Sequence, residues 1–292
     1  MIAAMTFVPR RTPMGRAGAL AASAYLGGFV AVAFGFSHPL VLASDAVAVV
    51  IAGLLSGTGR ALAASARFAA WLAVLMVAAN AVTSQRGDTV WVRGPELPLL
   101  GTVDVTAEAL AEGGILALRV AIVIAAFAVF TAAVDPDRVL RLLRPVARRS
   151  ALTATLVVRL VPLAAADHAR IRDGAALRGP AAAPVSRPSL VRRLVAGSLD
   201  RAVDAAAALE LRGYAGTAPG RAHRGPRASL DAAFWLTAAA IWGLAAACIA
   251  TGAATYESYP GIEMALEPLG LALVLALPAL AAVPHLRGAP WR

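Results

Sequence analysis

"GILALRVAIVIAAFAVFTAAV", Gly114–Val134, holds a single charged residue, Arg119, in an otherwise apolar run. A helix needs about 20 mainly apolar residues to cross a bilayer, at about 1.5 Å of rise per residue. The run therefore predicts a membrane span. Five more windows read the same way: Ala17–Phe36, Pro39–Leu55, Leu62–Val82, Leu230–Thr251 and Met264–Val283. The second is short and contains Asp45; the third contains Arg67. Hydrophobic residues make up 59% of the 292, charged residues 15%, and mean hydropathy is +0.71. Soluble domains carry about 25% charged residues, so composition and windows agree. The fold class expected is all-α: a polytopic membrane protein of about six transmembrane helices.

All 27 basic residues are arginine, and the net charge is +10. A soluble protein with that charge would suggest nucleic acid. In a membrane chain the excess belongs to cytoplasmic loops, so no nucleic acid partner is expected and the lipid bilayer is. From Arg138 to Arg227 there are 17 arginines against five acids. That region is expected to be cytoplasmic, as is the N-terminus with Arg10, Arg11 and Arg16. Four spans join them and two more return the C-terminus to the same side. Arg86 and Arg93, in the external loop Thr83–Glu112, run against this assignment. The N-terminal arginines precede an apolar stretch with no convincing cleavage site, which reads as a first span rather than a signal peptide. The single cysteine, Cys248, excludes a disulfide framework and a cysteine zinc site.

The arginine-rich stretch is helical in pattern. Asp135 with Pro136 is a helix start, Asp135 as N-cap and Pro136 at the first position; Pro145 ends that short helix. A long helix is expected over 151–178, bent at Pro162. A proline-rich connector, "GPAAAPVSRP", follows. A third helix runs from Ser189, as N-cap, to Arg212. Its apolar residues, Val191, Val195, Leu199, Ala202, Ala206 and Leu209, recur three or four apart, with Arg193, Asp200, Arg201 and Asp204 off the stripe. The domain boundaries expected are 1–135 (spans one to four), 136–227 (a cytoplasmic platform of amphipathic helices) and 228–292 (spans five and six).

Two helix ends in that platform share a signature. "GAALRGPAA" contains Arg178 and Gly179; "AALELRGYAG" contains Arg212 and Gly213 at a separation of 34 residues. One such end is an ordinary cap, the arginine complementing the helix dipole and the glycine supplying a left-handed residue. Two together place planar five-donor guanidiniums at helix tips, which suits docking to another protein.

The flanks carry a resemblance. The paired ends are similar to the two Ala-Arg-Gly signatures of the transmembrane (T) component of energy-coupling factor (ECF) transporters, the EcfT/CbiQ family. "VVRLVPLAAADHARIRDGAALRG", Val157–Gly179, resembles the first signature; "AALELRGYAG", with Glu210 and Tyr214, resembles the second. "NAVTSQRGDTVW" looks like the family's asparagine-to-glycine segment after the third span. "VTAEALAEGGILALRV" looks like its threonine–x–glutamate helix start. "TPMGR" is similar to its His-Pro-Leu-Thr-Lys stretch, with Arg16 for the usual lysine. The likeness covers about Thr12 to Tyr214 in consistent order. Leu177 and Leu211 stand where the family has alanine. The resemblance implies a non-enzymatic subunit of an ABC-type importer of vitamins or of nickel or cobalt ions, in the cell membrane. It implies that two ABC-type ATPase subunits touch Arg178, Gly179, Arg212 and Gly213, with Ala176, Leu177, Glu210 and Leu211 as neighbours. It also implies a membrane substrate-binding (S) subunit that carries the substrate.

Other residues are open to functional and plain readings. Asp45 could be a relay or ion site, or simply packed or near one surface. Arg119 is expected in the external half of its span, snorkelling or paired with Glu112. Asp135 and Asp137 could hold magnesium, but capping accounts for Asp135. Asp167, His168 and Asp173 lack zinc spacing and read as a solvated helix face. No Walker-type loop is present, and no catalytic residue, cofactor or metal is expected. The alternatives are the permease of another ABC importer, which would have a single coupling helix, and a membrane enzyme such as a prenyl transferase, which would need paired aspartate-rich motifs.

Overall fold

A computed structural model describes residues 12–84, 89–97, 101–143, 163, 165–174, 177, 186–211, 228–259 and 261–287. It divides into two compact units, Met1–Val139 with Arg227–Arg292, and Leu140–Pro226.

The first unit is a bundle of apolar helices. After a short turn of helix, α1 (Pro13–Arg16), come α2 (Ala19–Gly35), α3 (Pro39–Leu55), α4 (Gly59–Thr83) and α5 (Ala107–Ala133). The short amphipathic α6 (Pro136–Leu143) follows, and α9 (Ala228–Thr251) and α10 (Pro268–Arg287) complete the bundle. Four helices are long and apolar enough to cross a membrane: α4, α5, α9 and α10. The protein is thus an all-α polytopic membrane protein. α2 and α3, of 17 residues each, are shorter, about 25 Å at helical rise. The sixth span starts at Pro268 rather than Met264, because Met264 lies in a strand. The fourth starts seven residues earlier than the apolar run, where the Thr106 hydroxyl accepts from the Ala109 amide as N-cap.

Two antiparallel hairpins join long helices. β1 (Val90–Leu97) pairs with β2 (Gly101–Thr106) between α4 and α5; β3 (Ala254–Glu257) pairs with β4 (Glu263–Leu266) between α9 and α10. The external loop expected over 83–112 therefore contains a hairpin and the first turn of α5. The two connections meet: Ser258 donates to a Glu112 carboxylate oxygen at 2.8 Å, and the Ser84 and Tyr259 hydroxyls lie 2.7 Å apart.

Helix ends in a bundle of this kind have few places to find hydrogen-bond partners, since lipid offers none. α2 shows how they are met. At its start the Gly18 amide donates to Asp231 of α9 at 2.6 Å. At its end Arg119 of α5 donates to the Ala33 and Phe36 carbonyls at 2.8 and 3.2 Å, and to the Ser37 hydroxyl at 3.0 Å. A carboxylate at the N-terminus and a guanidinium at the C-terminus both suit the helix dipole. Arg138, in α6, reaches the Gly15 and Ala17 carbonyls at 2.9 and 3.2 Å. α5 and α2 therefore run antiparallel, joined by arginines near both ends of α2. The pairing of Arg119 with Glu112 expected from the sequence is not made: three acceptors at the α2 end satisfy Arg119, and Ser258 donates to Glu112.

Internal prolines raise the same problem. Pro278 lies inside α10 and has no amide for the carbonyl four residues back, that of Val274. The Ser44 hydroxyl of α3 donates to that carbonyl instead. The Tyr25 hydroxyl of α2 donates to the Ala281 carbonyl in the next turn at 2.8 Å. Tyr25 is also edge-on to Phe29 and Phe234, with ring centroids 5.1 and 5.3 Å apart. These fully buried rings join α2, α9 and α10.

Between α3 and α4 the chain reverses within four residues. Gly57 sits at φ 71°, which glycine adopts without strain. Thr58 donates its amide and hydroxyl to the Gly53 carbonyl. Gly53 has a second role: a Cβ there would lie 2.5 Å from Leu62 and 2.7 Å from Val129, so its lack of a side chain lets α3 approach α4 and α5. Asp45, one face round, is fully buried, and neither carboxylate oxygen has a partner among the described residues. Of the readings the sequence offers, packing against other helices is the one this burial bears out.

Two outcomes follow from the helix-end contacts. Ser44→Ala should lower stability by about 1 kcal/mol. The loss should shrink in a Pro278→Ala background, where Val274 regains an amide donor; thermal unfolding in detergent across the four proteins measures the coupling. Arg119→Leu should cost about 2 kcal/mol or more, since it strands two carbonyls at a helix end, whereas Glu112→Gln should leave the α2 end unaffected in the same assay.

Candidate functional site

The second unit holds the platform. Its described part comprises the end of α6 (140–143), Leu163, α7 (165–174), Leu177, and Ser186 with α8 (Arg187–Leu211). α8 begins earlier than expected. Ser186, not Ser189, takes the cap position: its hydroxyl accepts from the Ser189 amide at 3.4 Å and its carbonyl from the Leu190 amide at 3.1 Å. Pro188 then falls in the first turn, where its missing amide costs nothing. The short helix α6 starts as its sequence predicts, the Asp135 carboxylate accepting from the Asp137 amide at 2.9 Å.

Among the described residues an ionic contact ties α7 to α8. Arg201 of α8 pairs with one Asp167 carboxylate oxygen, while Arg170 lies 3.8 Å from the other. The Asp167 side chain is only 17% exposed. The sequence places it on a solvated face; the structure makes it a cross-link, because Arg201 comes from a helix 34 residues further along. The hydrogen bond from Arg201, more than the surrounding charge, holds the Asp167 carboxyl below the usual carboxylate range. His168 and Asp173 take no part in the pair, and no group of three metal-ligating side chains occurs among the described residues.

The apolar stripe of α8 has no cover among the described residues. Val191, Val195, Leu199 and Val203 are all more than half exposed, and Ala202 and Ala206 are exposed too. Leu209 is half-buried. An amphipathic period exists to bury its apolar face, and among the described residues nothing buries this one. Leu177 and Leu211 are more exposed still, at 88% and 90%. Leu177 keeps the helical hydrogen bond of α7, its amide donating to the Asp173 carbonyl at 3.1 Å. Glu210 is exposed beside Leu211.

Ala176, Arg178, Gly179, Arg212 and Gly213 lie outside the described residues. Their neighbours are informative nonetheless. Arg178 follows Asp167 by eleven residues, and Arg212 follows Arg201 by the same eleven. Each signature thus stands the same distance along the chain from one partner of the ionic contact.

A family model for the cobalt transport protein family, CbiQ, matches residues 18–223. The chain belongs to the CbiQ family. The match begins at the start of α2 and runs past both arginine–glycine signatures, so α2 to α6 and the platform fall within it and α9 and α10 lie beyond it. CbiQ membership makes this a membrane component of transport and agrees with the apolar helices. A comparison with curated proteins finds no match. Sequence reasoning missed the Asp167–Arg201 contact; the equal eleven-residue offsets were its only trace, and they acquire meaning only once the pair is known. It also missed Asp231 and Arg138 as caps, since both serve elements more than 100 residues away.

The ionic contact sets a pH dependence. The Asp167 carboxyl is lower in the folded chain than in the unfolded one, so its stabilisation is present above the ordinary aspartate range and fades as pH falls through the depressed value. Asp167→Asn should therefore speed amide exchange in 165–174 at pH 7. The difference from wild type should close as pH drops below about 4; hydrogen–deuterium exchange at several pH values reads both effects.

Proposed function

We propose that this CbiQ-family chain is the coupling subunit of an ECF-type ABC importer, non-catalytic itself, that passes the motion of two ABC-type ATPases to a membrane S subunit. The observation that carries this reading is the open apolar stripe of α8 with Leu177 and Leu211 exposed beside the two arginine–glycine signatures. A helix face of that kind is finished by a partner. The stripe and the tips offer different chemistry. Arg178 and Arg212 bring guanidiniums that suit a carbonyl-lined or acidic groove on each ATPase. Gly179 and Gly213 have no side chain to keep a partner's backbone away. Ala176, Leu177, Glu210 and Leu211 flank them. The valines and Leu199 of α8 present an apolar surface suited to an S subunit that is itself greasy.

Coupling in this scheme is mechanical. Closure of the ATPase pair moves the two signatures, and α7 and α8 move together because Asp167 and Arg201 join them. Packed helices shift between discrete arrangements rather than bending smoothly, so motion at the tips reaches the α8 stripe. The cargo is a vitamin or a nickel or cobalt ion held by the S subunit. The platform and both termini face the cytoplasm and the bundle lies in the cell membrane, in keeping with the arginine excess.

The double variant Arg178→Ala with Arg212→Ala should lose most ATPase copurification, by tenfold or more at about 1.4 kcal/mol per tenfold, and should abolish uptake. Membrane insertion and helicity should be unchanged. Full copurification together with normal uptake would sink the proposal.

A further inference from the structure

α4 carries a second charged feature that the coupling role does not use. Its first turns hold Arg60 and Arg67, seven residues apart and so on one face, about 10 Å apart along the axis. Both are exposed, with the small, exposed Ala63 between them. Arg67 folds back along the helix, its Nε donating to the Ala63 carbonyl at 3.2 Å. Its guanidinium is thereby turned toward the end where Arg60 stands. α4 contains no acidic residue, and among the described residues neither arginine has an acidic partner. Two cations on the same face of one helix, with none of the charge returned, call for an anion.

The same exposed face continues as Trp71, Val74 and Val82, at 65%, 72% and 41% exposure. α4 is long and apolar enough to cross a membrane. From Trp71 to Val82 is about 16 Å of helix, close to one leaflet of a hydrocarbon core about 30 Å thick. A ring at the foot of the arginine pair suits the interface between headgroup and chain. The required ligand is therefore an anion that carries an acyl chain. We propose that this face of α4 binds an anionic phospholipid, its phosphate held by Arg60 and Arg67 and its chain lying along Trp71 to Val82. An acidic protein segment would match the arginines but leave the apolar half of the face without a role.

The full-length chain, purified in detergent without partner subunits, is incubated with equal amounts of phosphatidylglycerol and phosphatidylcholine and examined by native mass spectrometry. Wild type should retain phosphatidylglycerol preferentially. Arg60→Gln and Arg67→Gln should each lower the retention ratio about fivefold, and the Arg60→Lys, Arg67→Lys pair should keep most of it. Equal retention of the two lipids by wild type would overturn the proposal, as would a ratio unchanged in the double glutamine variant. Should that variant fail to fold, wild type titrated with salt reads the same contact. The preference should fall as ionic strength rises, and a preference indifferent to salt overturns the proposal too. Loss of ATPase binding by the glutamine variants, with no lipid preference in wild type, would assign the arginines to a protein partner instead. Because no ATPase is present in the lipid assay, its outcome is independent of the coupling proposal.

Discussion

A helix that ends within a bundle of apolar helices must find hydrogen bonds there or forgo them, and α2 is held by that constraint at both ends. Asp231 meets the Gly18 amide at its start and Arg119 its last carbonyls. Neither contact is worth more than a few kcal/mol, but each fixes a relation between helices far apart in sequence. Asp231 sets α9 beside the start of α2. Arg119 sets α5 beside its end, and Arg138 repeats the attachment below. With α2 located, Tyr25 reaches Ala281 and the aromatic group with Phe29 and Phe234 closes around it. α3 then lies where Ser44 can serve the carbonyl that Pro278 leaves free. Apolar contact alone does not distinguish one rotation of a greasy helix from another; these few polar contacts do.

The same constraint explains what could be read from the sequence. Spans are legible because a run such as Gly114–Val134 needs no partner to be recognised, and Pro39–Leu55 matches its helix to the residue. Asp135 was legible as a cap because its partner is two residues away. Arg119 was not, because its acceptors belong to a turn more than 80 residues earlier, and Glu112, the nearest acid in sequence, was a false lead. Ser189 misled for a related reason: Ser186 offers the same chemistry three residues earlier, and a proline in between decides for it. The hairpins were hidden because β1 contains Gly94 and Pro95 and alternates poorly. Of the platform, the stripe was legible as a period, whereas its lack of cover was not, since exposure belongs to the folded chain. The signatures at Arg178 and Arg212 were legible as a pattern and as a family likeness, and the family match includes both.

The two units differ in burial. In the bundle, large apolar side chains such as Tyr25, Phe29 and Phe234 are wholly enclosed. In α8 apolar residues are displayed, and among the described residues its contact with α7 is an ion pair. A bundle fixed by polar contacts at helix ends suits a part that must stay still. A pair of helices joined by one charged link, with its apolar face open, suits a part that is handled by others.

That open face has a consequence for the cell rather than for the molecule. Val191, Val195, Leu199 and Val203 are exposed for as long as the chain is alone. An orphan copy therefore offers other proteins, chaperones and proteases a ready apolar ribbon. If a partner covers α8, as proposed, synthesis in step with that partner limits the exposure, and the abundance of this chain would follow its companion's as well as its own gene's.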